Sequence, residues 1–322
     1  MTNKMKLSHH VLADMEDDDS YEQRLNQWLD PLIARIIRSK VLEDIEPSRY
    51  QRRLLYILEN SQSVLGMLIV KGATKPEIEW VTKTIRDTGL AYYRMVFNAG
   101  KSVPISIDQS DYSATGRPTD CNLGLDDWVL VFATTLILQD YDAAYELCEM
   151  NEAYIDMDER PTGSDTRLFD KAMLNLFKGI LYPDADMNIL LTDAAAKVFQ
   201  PECVGHEERQ ETVNYKYLPL ISLIHAMYSP NREIAYPEKL QEALADHKTF
   251  FSQDEYPFDY AYESVYWIAL TITGLAALAY HRWGLEPNVD TLYMPEWMVK
   301  ELDIRTPRRT YEEVFGNKYD RA

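Results

Sequence analysis

Residues 50–100 read YQRRLLYILENSQSVLGMLIVKGATKPEIEWVTKTIRDTGLAYYRMVFNAG, and this stretch decides the fold. Tyr50, Leu54, Ile57 and Leu58, then Leu65 and Leu68, recur at three- and four-residue spacing, the signature of an amphipathic helix. Pro47 stands near its start, where a missing N–H costs little, and Gly72 ends it. Thr74 caps a second helix with Pro76 in its first turn, and Gly100 closes it. Ile78, Val81, Ile85, Tyr92 and Val96 share one face, and Gly89 marks a place where a neighbour can approach closely. Only a few residues join the two helices, so they form an antiparallel hairpin.

The same grammar extends in both directions. Ser20 caps a helix reaching about Lys40, with Trp28, Leu32 and Ile36 on one stripe and Pro31 bending it. Residues 101–121 break the pattern: Val103 to Ile107 reads as a short extended segment, and the Ser, Thr, Gly and Pro residues after it as an exposed loop. Further helices are predicted over Leu123–Gln139, Tyr141–Met150, Thr166–Leu181, Met187–Phe199, 208–228, 237–251, 259–283 and 295–302. With 12 glycines and 15 prolines in 322 residues, the chain reads as all-α, a solenoid-like stack of helical hairpins with at most one short extended segment near 103–107. Its expected divisions are an N-terminal helical extension or cap over 1–72, a helical domain over 73–303, and a polar, loosely held tail over 304–322.

Composition narrows function by exclusion. Lys and Arg total 33 against 52 Asp and Glu, a net charge of −19, which repels nucleic acid and anionic membranes and attracts basic partners. Solubility alone also accounts for such a charge. Cys121, Cys148 and Cys203 are odd in number and far apart, so neither a disulfide framework nor a zinc knuckle is supported. The N-terminus lacks a signal-peptide core, which makes the expected location cytoplasmic. The long uncharged run from Val265 to Tyr280 falls short of the about 20 apolar residues of a membrane span and reads as a buried core helix.

No phosphate loop, dinucleotide fingerprint or nucleophile elbow is present. His206-Glu-Glu-Arg-Gln begins like a zinc motif but has Gln210 where the second imidazole belongs. Asp184 with Asp186, and Asp126 with Asp127, suit helix N-termini better than paired catalysis. The six histidines show no metal-ligand spacing, so no metal, cofactor or catalytic residue is assigned. Acidic clusters recur at Asp17-Asp18-Asp19, at Asp156, Asp158 and Glu159, at Glu207-Glu208, and at Asp254 and Glu255. With the 22 tyrosines they would suit a surface that grips a basic protein.

Four stretches carry a resemblance. Tyr217-Leu-Pro-Leu-Ile-Ser-Leu-Ile224 is followed by Ala243-Leu-Ala-Asp-His-Lys-Thr-Phe-Phe251, then Gly274-Leu-Ala-Ala-Leu-Ala-Tyr280 and Tyr293-Met-Pro-Glu-Trp297. With Asp126-Asp-Trp-Val-Leu-Val-Phe132 upstream, their order and spacing resemble the immunity-49 family of bacterial polymorphic-toxin systems over about residues 78–300. The first 70 residues and the tail after 303 fall outside it. The resemblance implies a non-enzymatic protein that neutralises a cognate secreted toxin by stoichiometric binding, with no nucleic acid and no membrane as partner. A basic toxin such as a nuclease would suit the charge. His247 and Lys248 match the family's His-Lys element, where a polar helix end is the other reading. Expected partner-binding residues are Asp126, Asp127, Asp156, Asp158, Glu159, His247, Lys248, Asp254 and Glu255. An all-helical hydrolase reversing toxin damage and a helical-repeat scaffold are the competing classes.

Overall fold

The computed structural model describes residues 4–12, 21–40, 42, 46, 49–107, 110–117, 124–157, 167–255 and 258–316. Ser20, Asp17 to Asp19, Pro47, Cys121, Asp158 and Glu159, all named above, lie outside these residues. The hairpin forms as the spacing predicts, from α2 (Tyr50–Lys71) and α3 (Lys75–Phe97), preceded by α1 (Tyr21–Ser39). Gly72 adopts a left-handed conformation at φ 71°, and the N–H groups of Gly72 and Ala73 donate to Ile69 and Leu68, satisfying the last carbonyls of α2. Glu77 then folds back to accept from the Thr74 N–H at 2.8 Å, so the turn is fixed from both sides. In α1 the buried stripe is Leu25, Leu29, Ile33 and Ile36, whereas Trp28 is 49% exposed. Trp28 therefore does not join the stripe predicted for it and Leu32 is only half-buried, their places being taken by Leu29 and Ile33, while Ile36 is buried as predicted.

Residues 102–115 form an antiparallel hairpin, β1 (Ser102–Ile107) with β2 (Ser110–Thr115). Val103, Ile105 and Ile107 alternate into the core, and the polar run Ser110–Thr115 is drawn into the ladder by its partner. The helices continue as α4 (Leu125–Ile137), α5 (Tyr141–Leu147), α6 (Glu152–Asp156), α7 (Leu168–Gly179), α8 (Met187–Val198), α9 (Pro201–Val204) and α10 (Glu207–Thr212). A π-helical turn over Val213–Tyr217 leads into α11 (Leu218–Tyr228) and then α12 (Arg232–Phe251). After a 3₁₀ turn at Ser264–Tyr266 come α13 (Leu270–Trp283), α14 (Glu296–Lys300) and α15 (Tyr311–Phe315).

Consecutive helices pack as pairs, α2 on α3, α7 on α8 and α11 on α12, while α13 returns to lie against α4. Gly89 and Gly274 permit the closest approaches: a Cβ at Gly89 would strike Val131, and one at Gly274 would lie 2.7 Å from the Ala133 carbonyl oxygen. The stretch Ser264–Trp283 is long and apolar enough to cross a membrane by length and composition, yet 78% of it is buried inside the fold. The helix predicted over 259–283 begins only at Leu270. Upstream, the Trp267 indole donates to the Ala261 carbonyl at 2.9 Å and the Ala269 N–H to Tyr293 at 2.8 Å, which holds 260–269 out of helical register.

The described segments near both termini, 4–12 and 304–316, are tied down. Residues 5–6 pair in parallel with Val289–Asp290, His9 Nε2–H donates to the Trp267 carbonyl at 2.9 Å, and Lys248 donates to Ser8 Oγ at 2.9 Å. Residues 304–316, expected to be loosely held, instead lie on α3: Lys83 donates to the Thr306 carbonyl at 2.6 Å, Arg308 pairs with buried Asp87, and Phe315 meets Trp80 edge-on.

A Cβ at Gly66 would fall 1.9 Å from the Ser264 carbonyl oxygen, backbone against backbone. Gly66→Ala should therefore lower unfolding free energy by about 3 kcal/mol in urea titration; an unchanged midpoint would remove this contact from the account. Burial first, with repulsion from His10 and Lys248, lowers His9 to about 4, and burial first lowers His247 to about 3. Unfolded histidines titrate near 6.5, so between that value and about 4 the unfolded chain takes up protons that the native state refuses. Stability must then fall with falling pH, and His9→Gln should reduce that slope by about 1.4 kcal/mol per pH unit. An identical slope in the variant would contradict the assignment.

Candidate functional site

A cavity of about 590 Å³ opens where α4, the π turn, the end of α12 and residues 260–272 meet α2. Its shape begins with Pro219. An α-helix running unbroken from α10 into α11 would present Pro219 to the carbonyl of residue 215, with no N–H to donate and a ring that clashes. The chain widens instead: the Leu218 N–H reaches back five residues to the Val213 carbonyl. The helix predicted as one piece over 208–228 is thus interrupted by a π turn, which carries Tyr215, Lys216 and Tyr217.

Lys216 Nζ and the Tyr217 hydroxyl both donate to Asp126 Oδ1, in the first turn of α4. Asp126 sits deep among protein atoms, yet 53% of its side chain is accessible, because it faces the open cavity. Burial pushes its carboxyl up, but Lys216 and the two donors outweigh that and hold it at about 2. It is therefore a fixed anion at neutral pH. Behind it, burial pushes the Asp170 carboxyl up, partly offset by Arg209, whose other amino group donates to the Val204 carbonyl at 2.5 Å. Burial, then Asp126, raises the Tyr217 phenol well above its ordinary range, so it stays a neutral donor.

The walls are aromatic. Tyr215 stacks on Phe250 with ring centres 5.6 Å apart and Phe251 on Tyr266 at 4.2 Å, with Tyr260 beside both phenylalanines. His247 also lines the cavity; its Nε2–H donates to the Tyr266 carbonyl at 2.9 Å, and burial keeps it neutral.

Of the residues singled out in the sequence, the structure brings Asp126, Asp127 and His247 to this one cavity. Lys248 turns away toward Ser8, and Asp156 is engaged with Lys171 at 2.7 Å on α6. Asp254 and Glu255 form a two-residue strand paired with 258–259, and Asp254 does not line the cavity. Asp158 and Glu159 lie outside the described residues. Sequence reasoning missed Arg209, Lys216, Tyr217 and the aromatic wall. Pro219 inside a predicted helix was the available signal for the π turn, and with it for this site. Among the described residues, no group of three or more His, Cys, Asp or Glu side chains could hold a metal ion.

The sequence pattern of the immunity protein 49 family matches residues 75–298, and the chain belongs to that family. The matched span runs from α3 to α14 and contains every cavity-lining residue except those contributed by α2. No curated protein and no solved structure matches the chain.

Asp126→Asn should lower stability by about 1 kcal/mol at pH 7, a figure that allows for the carboxylate's access to water. Its folded pKa lies below the unfolded value, so the difference from the parent should shrink as pH falls from 4 toward 2. A difference that persists at pH 2 would show that the charge is not what stabilises.

Proposed function

We propose that this chain protects its own cell, in the cytoplasm, by binding a cognate toxin stoichiometrically, with the Asp126 cavity as the centre of the contact. Family membership supports a toxin as partner. The observation that carries the site is an ionised, accessible carboxylate set among stacked aromatic rings. A lysine or arginine entering such a cavity gains charge–charge attraction at the floor and cation–π contact with the walls. Arg209 is held by Asp170, whereas Lys216 pairs with Asp126 itself through Oδ1 and offsets part of its charge, so an incoming cation shares that carboxylate with Lys216.

The net charge of −19 favours a basic toxin, such as a nuclease, by raising the association rate at low salt. The aromatic anchors then govern dissociation. Neither a cofactor, a nucleic acid nor a membrane has a part in this reading. A carboxyl near pKa 2 and a phenol raised well above 10 are also poor proton-transfer groups at neutral pH, which favours binding over catalysis.

Co-expression with its cognate toxin should rescue growth and yield a 1:1 complex on size exclusion. Asp126→Ala and Tyr266→Ala should each weaken the complex by roughly 30-fold, as expected of central anchors. Protection by substoichiometric amounts, abolished by a chelator, would contradict the binding account and favour a hydrolase.

A further inference from the structure

A second concavity, of about 1020 Å³, lies between the end of α1 and the start of α2. It is lined by Arg35, Arg38, Ser39, Glu46, Arg49, Arg52, Arg53 and Tyr56, with five guanidinium groups against one carboxylate. Arg35, Arg38, Arg49 and Arg52 are exposed and Arg53 is half-buried. Two of these arginines donate to uncharged acceptors, Arg38 Nε to the Ala34 carbonyl at 3.3 Å and Arg53 Nη1 to Ser39 Oγ at 3.0 Å. Among the described residues, no carboxylate forms an ion pair with any of the five. Elsewhere on the chain, Arg86, Arg94, Arg209, Arg305 and Arg308 each hold an acidic partner.

Five like charges facing one hollow, none of them in an ion pair among the described residues, repel one another in a protein of net charge −19 and stabilise nothing by themselves. We propose that this cleft is a binding site for a compact polyphosphate group, either free or carried by a nucleotide. Guanidinium forks match phosphate oxygens bidentately, and several forks converging on a hollow suit several linked phosphates. The strongly acidic remainder of the surface disfavours a long nucleic acid, whose backbone would extend beyond the cleft. Tyr56, 37% exposed on the wall, offers a ring on which a base can stack. The site is separate from the Asp126 cavity and does not rest on toxin binding.

Calorimetry of the full chain with tripolyphosphate and with ATP, at fixed salt, tests the proposal. Both should bind and raise the melting temperature, and Arg35→Gln and Arg52→Gln should each weaken binding about tenfold. Tyr56→Ala should weaken ATP alone if a nucleotide is the source, and neither ligand if free polyphosphate is. Asp126→Asn should leave both affinities unchanged. No binding of either probe at millimolar concentration, or binding insensitive to the arginine changes, would overturn the proposal. So would binding gained only in Glu43→Gln/Asp44→Asn, which would assign the arginines to the chain's own acidic connection. An oligonucleotide or polyglutamate that binds where both small probes fail would replace it with a macromolecular polyanion.

Discussion

Asp126 joins two parts of the chain that neither helix propensity nor hydrophobic burial would bring into register. It lies in the first turn of α4, and its two donors lie 90 and 91 residues further on, in the π turn. Pro219, which cannot donate a backbone hydrogen bond, stands just past that turn, where the helix opens by one residue and Lys216 and Tyr217 reach the carboxylate. The position of the aromatic wall depends on the same displacement, since Tyr215 stands in the widened turn and stacks on Phe250 from α12.

The rest of the molecule keeps this arrangement rigid. Gly274 lets α13 press against Ala133 of α4, and Gly66 lets α2 press against the 3₁₀ turn at Ser264. These contacts fix α4 and residues 264–272, two of the cavity's margins. The N-terminal segment then covers the far side of His247, where His9, His10 and Tyr293 stack on one another. A buried, neutral histidine on the cavity wall, His247, and a second beneath it, His9, put the sensitivity to acid behind the site, while the permanently charged group stands at its front.

Much of the fold is legible in the sequence because local rules and tertiary packing agree there. Gly72, Thr74 and Pro76 end one helix and start the next, and the apolar stripes of α2 and α3 are periodic enough to specify a hairpin. Gly89 announces the close approach of Val131. Where the reading fails, a non-local contact overrules a local pattern. Residues 260–269 lead into the apolar run and read as helix, but bonds from the Trp267 indole to the Ala261 carbonyl and from the Ala269 N–H to the Tyr293 carbonyl hold them irregular. Ser110–Thr115 has little strand character and becomes a strand through its partner. Asp126 and Asp127 read as helix-capping acids, and the first turn of α4 does carry them; that Asp126 also floors a cavity depends on residues far along the chain. The arginines of the second cleft were visible at helical spacing, Arg35 with Arg38 and Arg49 with Arg52 and Arg53, but the overall acidity masked them.

The central claim is that the Asp126 cavity is where the toxin is held. Hydrogen–deuterium exchange on the purified protein, with and without its cognate toxin, tests this most directly. The account predicts slowed exchange in peptides spanning 209–220 and 260–272, with little change in the hairpin 102–115 and in α15, none of whose residues lines the cavity. Protection confined to other surfaces, with these two segments exchanging as in the free protein, would contradict it.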